Sequence, residues 1–164
     1  MSLNSLTLAL ESRAYVALRS FADRKSLKPA HLITGQRGED AAYFHLRGLG
    51  YTIVARRWRT ERLPGDLDLV AWDGPTLVVF EVKTRTAPSR EAAFAPAETS
   101  VDLHKQHVLR KMASAYLRQF PAPTRSSISV RFDILSVYQL PTGIEFEQIR
   151  NAFPLTDPVG NRRG

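Results

Sequence analysis

The segment that most restricts the fold is a short apolar run that ends in two charged residues. Residues 77–80 read Leu-Val-Val-Phe, and Glu81 and Lys83 follow them with Val82 between. An apolar run bounded by turn residues is typical of a strand that is buried on both faces of a sheet. The sequence therefore predicts a central strand over residues 76–84. Because side chains alternate along a strand, Glu81 and Lys83 point to one face of the sheet.

The segments around this strand predict a mixed α/β fold. In chain order, we expect a helix over residues 36–49, strands over 51–58, 66–72 and 76–84, a helix over 102–120, and strands over 128–138 and 144–149. Gly50 is a signal for the end of the first helix, and Asp73-Gly74 is a hairpin signal between two strands. Helices and strands in this order predict an α/β fold with a mixed central sheet flanked by helices.

The length and the lack of cysteine limit the organisation and the chemistry. The chain has 164 residues and no Cys, so one core can form without disulfides, and thiol chemistry is excluded. We expect residues 1–34 to be a helical N-terminal extension, residues 35–150 the α/β domain, and residues 151–164 a loose tail. No apolar run approaches the ~20 residues that cross a bilayer. The composition fits a cytoplasmic protein.

The net charge of +7 indicates an anionic partner, most often nucleic acid. The charge is uneven along the chain. Residues 1–37 carry a net charge of +4 and residues 104–135 a net charge of +5, whereas residues 38–103 contain ten acids and eight bases. This distribution predicts an acidic site in the middle segment with basic segments around it. The alternative is that the basic segments are ordinary solvated faces.

Three acidic residues in the middle segment stand at positions that disfavour acids. Glu39 is on the buried side of the first predicted helix, Asp68 is among aliphatic residues in a predicted strand, and Glu81 ends the central strand. A buried carboxylate needs a base, a metal or a helix end as its partner. Each position also has a structural explanation. The helix dipole could favour Glu39 in the first turn. Asp68 could cap the start of an edge strand. Glu81 and Lys83 could neutralise each other at a solvent-facing strand end.

The predicted hairpin strengthens the functional interpretation, because it folds the strand of Asp68 onto the strand of Glu81 and Lys83. Three oxygen donors, with Glu39 as the third, suit Mg²⁺ or Mn²⁺. Such an ion activates water and neutralises the charge on a phosphodiester. The sequence therefore predicts a metal site for phosphodiester chemistry.

The order of these motifs resembles that of the YraN-like proteins, a family of small bacterial proteins. The motifs are Gly38-Glu39, Gly48-Leu49-Gly50-Tyr51, Gly65-Asp66-Leu67-Asp68-Leu69, Phe80-Glu81-Val82-Lys83-Thr84-Arg85 and Arg131-Phe132-Asp133. YraN-like proteins are similar in fold to archaeal Holliday junction resolvases, within the PD-(D/E)xK nuclease superfamily. The resemblance implies a restriction-endonuclease-like, resolvase-like fold. It also implies a Mg²⁺- or Mn²⁺-dependent endonuclease that acts on DNA, with branched DNA among the candidate substrates.

The resemblance further implies roles for single residues. Asp68 and Glu81 would ligate the metal, Lys83 would be the catalytic lysine, and Glu39 would complete the resolvase-type site. This chain has Asp66 where the family usually has Glu, which shortens an acid next to the site. Resolvase-like relatives also imply a homodimer.

Four further basic residues are candidates for contacts with nucleic acid. Lys105 lies on the apolar side of the second long helix and could reach a phosphate, or it could extend its ammonium group into solvent. Arg85 follows the central strand. Arg57 and Arg59 flank Trp58, a ring that could stack on a base. For Arg85 the alternative is a solvated loop cation, and Trp58 is more often a core residue.

Other patterns carry less weight. The face of the second long helix opposite its apolar side holds His107, Arg110, Lys111 and Arg118. Zinc is not expected at the nearby histidines, because no third ligand matches them. Arg131 and Asp133 share one face of the fourth strand, and we expect a structural ion pair with a neighbour there. Two other classes of function remain open, a non-catalytic nucleic-acid-binding domain and a protein-interaction domain.

Overall fold

The structure is a computed structural model that describes residues 3–24, 30–93 and 101–156. In chain order, these residues form α1 (Leu3–Arg24), α2 (Ala30–Gly48), β1 (Thr52–Thr60), β2 (Leu63–Asp73), β3 (Thr76–Thr86), α3 (Arg90–Ala93), α4 (Leu103–Leu117), α5 (Ala122–Ser127), β4 (Ser129–Leu140) and β5 (Gly143–Phe153). Among the helices of these segments, none has the length and apolar character needed to span a membrane.

The strands form one five-stranded sheet in the order β1-β2-β3-β4-β5. β3 pairs in parallel with β4, and the other neighbouring strands are antiparallel. β3 is the central strand, and its residues 77–80 are almost completely buried, as predicted. The predicted fold class is confirmed, because a mixed sheet flanked by helices is consistent with a resolvase-like fold.

Helices cover both faces of the sheet. Leu46 of α2 belongs to the same buried cluster as Phe80 of β3. Leu109 and Met112 of α4 belong to the cluster on the other face, with Val79 of β3. Since Val79 and Phe80 are consecutive in a strand, they point to opposite faces, and α2 and α4 therefore sandwich the sheet.

Several boundaries differ from the predictions. α2 begins at Ala30 and not at residue 36, because Pro29 disfavours helix only in the residue before it. β5 continues to Phe153, three residues into the predicted loose tail, because the Phe153 ring stacks on Phe132 at 4.7 Å between centroids. The short helix α5 was not predicted, since its prolines resemble a helix terminator, although Pro is favoured in a first helical turn.

The N-terminal helix α1 packs on α2 through polar contacts. The Tyr15 hydroxyl donates a hydrogen bond to Asp40 Oδ1 at 3.1 Å, and Arg47 Nη1 donates to Glu11 Oε2 at 2.8 Å. α1 therefore packs against α2.

Candidate functional site

The candidate site lies where β2 and β3 separate. Their regular pairing ends at the pair Leu69–Phe80. Beyond it, Asp68 Oδ2 accepts a hydrogen bond from the backbone N–H of Val82 at 2.7 Å. Asp is disfavoured in strands because its side chain competes for backbone hydrogen bonds. Here the Asp68 carboxylate replaces a backbone acceptor, and it therefore bridges the two diverging strands next to Glu81.

Glu81 is the most buried acid of the site, with a side chain that is only 6% exposed. Lys83 Nζ lies 3.3 Å from Glu81 Oε1, and Lys105 Nζ lies 3.0 Å from Glu81 Oε2. Lys105 is in the first turn of α4, where Asp102 caps the helix by accepting from the Lys105 N–H at 2.7 Å. One buried carboxylate therefore holds a lysine from the central strand and a lysine from the helix that covers it.

The two carboxylates of the site influence each other. Burial raises the pKa of Asp68 to about 7, and the negative charge of Glu81 adds to the rise. The hydrogen bond from Val82 and the charge of Lys105 act in the opposite direction without reversing the shift. Burial also lowers the pKa of Lys105, but the pair with Glu81 outweighs burial and leaves that pKa raised. Asp68 and Glu81 thus form a carboxylate pair whose mutual repulsion the lysines only partly relieve.

Glu39 lies within electrostatic range of Asp68 and is held by Arg57. The Arg57 guanidinium donates to Glu39 from its Nε and to the Gln36 carbonyl at 3.4 Å from its Nη2. Arg57 has a φ of 48°, in the left-handed region that a residue with a side chain seldom adopts. Such backbone strain is concentrated at functional sites. The negative charge of Glu39 contributes to the raised pKa of Asp68, so Glu39 lies within electrostatic range of the pair.

Gly38 sets the distance between α2 and β3 at this point. A Cβ atom at Gly38 would overlap the side chain of Thr84. Only glycine therefore lets the helix approach the strand closely enough to bring Glu39 to the site.

The remaining predicted nucleic-acid contacts have protein partners. Arg59 pairs with Asp66 at 2.9 Å, and the side chain of Arg59 is 73% exposed. Arg85 Nη1 donates to the carbonyl of Ala93 at 3.1 Å. The structure thus brings Lys105 into the site, whereas Arg59 and Arg85 are engaged around it. Trp58 packs against the core, with its ring 5.2 Å from that of Tyr116.

The donor set suits a hard divalent cation that keeps several waters. In the described segments, no three His, Asp or Glu side chains come together as metal ligands. The three oxygen donors expected from the sequence therefore do not gather, because Arg57 holds Glu39. Asp68 and Glu81 remain as two adjacent carboxylates, and Mg²⁺ is commonly bound by one or two carboxylates plus water. These two residues fit the ion by donor chemistry, and in this structure Lys83 and Lys105 pair with Glu81.

Sequence reasoning did not identify Asp40, which is buried beside Glu39. Asp40 Oδ1 accepts from the Tyr15 hydroxyl and from the Arg56 guanidinium, and Arg57 Nη2 lies 3.8 Å away. The only signal in the sequence is a second acid next to Glu39. Asp40 therefore links α1, α2 and β1 behind the site.

Arg131 and Asp133 form an ion pair with each other, where the sequence predicted a structural ion pair with a neighbour. The Asp133 carboxylate is fully buried and accepts from Arg131 at 2.8 and 2.9 Å, from Gln148 Nε2 at 2.8 Å and from the Asn151 N–H at 2.9 Å. Arg131 also pairs with Asp73 at 3.1 Å. The network joins β4, β5 and the end of β2, and it serves the fold.

The fold and the site define a class, an α/β protein in which Asp68 of β2 and Glu81 of the central strand form a carboxylate pair with Lys83 and Lys105 beside it. Residues 38–137 match the family described as "Uncharacterised protein family UPF0102". This chain belongs to that family, which is the YraN family that its motifs resemble.

Relatives from distant bacteria match most of the chain. A UPF0102 protein of Koribacter versatilis is 44% identical over 129 residues, which are 79% of this chain and 85% of the relative. A UPF0102 protein of Acidothermus cellulolyticus is 40% identical over 127 residues, which cover 73% of this chain and 92% of the relative. A UPF0102 protein of Porphyromonas gingivalis is 38% identical over 127 residues, which cover 76% of this chain and 87% of the relative. The family match includes Glu39, Asp68, Glu81 and Lys83.

Proposed function

We propose that this protein is a metal-dependent endonuclease that hydrolyses phosphodiester bonds in DNA, with branched DNA as a candidate substrate. The observation that carries the proposal is the carboxylate pair Asp68–Glu81 with Lys83 and Lys105 around it. Adjacent carboxylates can hold a divalent cation, and lysines can stabilise the negative charge that develops during phosphodiester hydrolysis.

Asp68 and Glu81 would hold Mg²⁺ or Mn²⁺. When bound, the cation would supply an activated water and neutralise charge on the phosphodiester. Burial raises the pKa of Asp68, and the negative charge of Glu81 adds to the rise. A bound cation would offset the part that is due to Glu81. The two carboxylates come from strands that Asp68 itself joins through Val82, so their separation is determined by the backbone.

The lysines would act on the phosphate. Their side chains are about one-third exposed, 34% for Lys83 and 32% for Lys105, while the carboxylate between them is buried. Each ammonium group is therefore at the surface of the site and can donate hydrogen bonds to a phosphate oxygen. Lys83, on the central strand, would stabilise the charge that develops on the phosphate. Glu39 would orient Arg57 at the edge of the site.

Cleavage of end-labelled DNA with Mg²⁺ or Mn²⁺ tests the proposal. Four-way junctions, duplexes and single strands are incubated with the wild-type protein and with Glu81→Gln and Lys83→Ala. We expect metal-dependent products from the wild-type protein and a loss of about 100-fold or more in each variant. Glu145→Gln is the matched control, because Glu145 is a surface acid paired with Arg90. This variant should cleave DNA as the wild-type protein does. Cleavage that survives both site variants, or no cleavage with either metal, would overturn the proposal.

A non-catalytic DNA-binding domain is the second candidate. It is favoured by the two lysines that already neutralise Glu81, as in a structural ion cluster. Salt-sensitive DNA binding with no cleavage under any of these conditions would support it.

A further inference from the structure

Most arginines of the described segments are paired with an acid. Nine lie within ion-pair distance of a carboxylate, namely Arg19, Arg37, Arg47, Arg56, Arg57, Arg59, Arg90, Arg131 and Arg150. Lys111, Arg118 and Arg125 differ, since no carboxylate of the described residues pairs with them. Three cations without a carboxylate partner among the described residues therefore lie together on α4 and α5.

These three cations lie along two adjoining grooves. The first groove has a volume of about 350 Å³ and includes Lys111, Ser114 and Arg118. The second has a volume of about 380 Å³ and includes Ser114, Arg118 and Arg125. Ser114 and Arg118 belong to both grooves, so the surface is continuous. We call Lys111, Ser114, Arg118 and Arg125 the α4 ridge.

The chemistry of the α4 ridge suits phosphate groups. Residues 103–127 contain five Lys+Arg and no acid, and neither groove is lined by Asp or Glu. Lys111 and Arg118 are two turns apart on α4, which separates them by roughly 10 Å along the helix axis. Because one DNA strand carries a phosphate every ~3.4 Å of helix axis, this separation corresponds to about three nucleotides.

The α4 ridge begins near the candidate site. Lys105, which pairs with Glu81, is on the same helix. Lys111 lies about 9 Å and Arg118 about 20 Å further along the α4 axis. Because Lys111 lies about 120° around the helix axis from Lys105, the ridge is on a different side of α4 from the lysine that reaches Glu81.

We propose that the α4 ridge binds the sugar–phosphate backbone of duplex DNA. The proposal rests on the proposed function for the role of the site, but binding at the ridge requires neither metal nor cleavage. Contacts from lysine, arginine and serine to phosphates position a duplex without reading its sequence. The ridge therefore determines how the substrate is oriented and not which sequence is bound.

Fluorescence anisotropy with a labelled duplex in EDTA tests this proposal. Affinity is measured between 50 and 200 mM salt, a range in which phosphate contacts dominate the salt dependence (about −0.9 in slope for each contact). The variants are Lys111→Ala, Arg118→Ala, Arg125→Ala and the triple variant. Arg13→Ala is the matched control, because Arg13 is an exposed cation on α1 and no carboxylate of the described residues pairs with it.

We expect each single substitution to weaken binding about tenfold and to reduce the salt slope by about 1, with two different duplex sequences affected equally. The triple variant should lose about 1000-fold and should melt like the wild-type protein. Wild-type affinity in the triple variant, an equal loss in Arg13→Ala, or no duplex binding by the wild-type protein would overturn the proposal. Ridge-dependent binding without cleavage would instead overturn only the proposed function, and cleavage without ridge dependence would overturn only the ridge.

Discussion

The raised pKa of Asp68 predicts that the free energy of unfolding decreases as the pH rises when no metal is present. In the folded protein the pKa is about 7, against the ordinary value of 3.8. Between these values the folded state binds more protons than the unfolded state, so the free energy of unfolding falls as pH rises. Asp68→Asn removes the ionisable group but keeps an oxygen that can accept the Val82 hydrogen bond.

The magnitude follows from the shift. A difference of about three pH units is worth up to about 4 kcal/mol, since each unit is ~1.4 kcal/mol. About 2–3 kcal/mol of this falls between pH 5 and pH 8, because proton release from folded Asp68 is centred near pH 7. Asp68→Asn is therefore expected to be more stable than the wild-type protein at pH 8 in EDTA, with an advantage that shrinks by this amount at pH 5.

Urea unfolding followed by tryptophan fluorescence measures this difference, because Trp58 and Trp72 both pack against the core. The titrations are run at unit steps from pH 5 to pH 8 in EDTA. The control is Asp66→Asn, the same chemical change two residues earlier. Asp66 pairs with the exposed Arg59, so the control should change the free energy of unfolding by less than about 1 kcal/mol. If Asp68→Asn destabilises the protein equally at every pH, the reasoning about the carboxylate pair is wrong.

Three further predictions concern stability and are measured by urea unfolding. Gly38→Ala should destabilise the protein by about 1–3 kcal/mol, because the added methyl group overlaps Thr84. Asp133→Ala should cost about 3–5 kcal/mol, because it leaves Arg131 without its buried partner. Leu46→Ala should cost about 2–5 kcal/mol, because Leu46 is completely buried between α2 and the sheet.

Matched substitutions separate these mechanisms from general damage. Gly35→Ala, in the same helix with open space around it, should stabilise the protein by about 0.5–1 kcal/mol. Leu49→Ala, at a side chain that is 58% exposed, and Asp66→Ala should each cost less than about 1 kcal/mol. A test variant that loses no more than its control would contradict the contact assigned to it.

The centre of the fold was predictable because it depends on local patterns. The apolar residues 77–80 demand burial on both faces, and the alternation of a strand places Glu81 and Lys83 on one side. The hairpin at Asp73-Gly74 joins β2 and β3, as predicted. These features follow from the sequence whatever the packing of the helices.

The detailed contacts of the site were not predictable because they depend on packing. The bond from Val82 to Asp68 exists only because β2 and β3 stop pairing after Leu69. The pair between Lys105 and Glu81 depends on how α4 crosses the sheet. Arg57 reaches Glu39 through a left-handed backbone that nothing in its own sequence favours. Short-range patterns report none of these distances.

The most direct test of the central claim is whether Asp68 and Glu81 together bind a divalent cation. Isothermal titration of Mn²⁺ into the wild-type protein, Glu81→Gln, Asp68→Asn and the surface control Glu145→Gln measures this without DNA. We predict one Mn²⁺ site in the wild-type protein and in Glu145→Gln, and none in the other two variants. Equal Mn²⁺ binding by all four proteins, or none by the wild-type protein at millimolar Mn²⁺, would contradict the account.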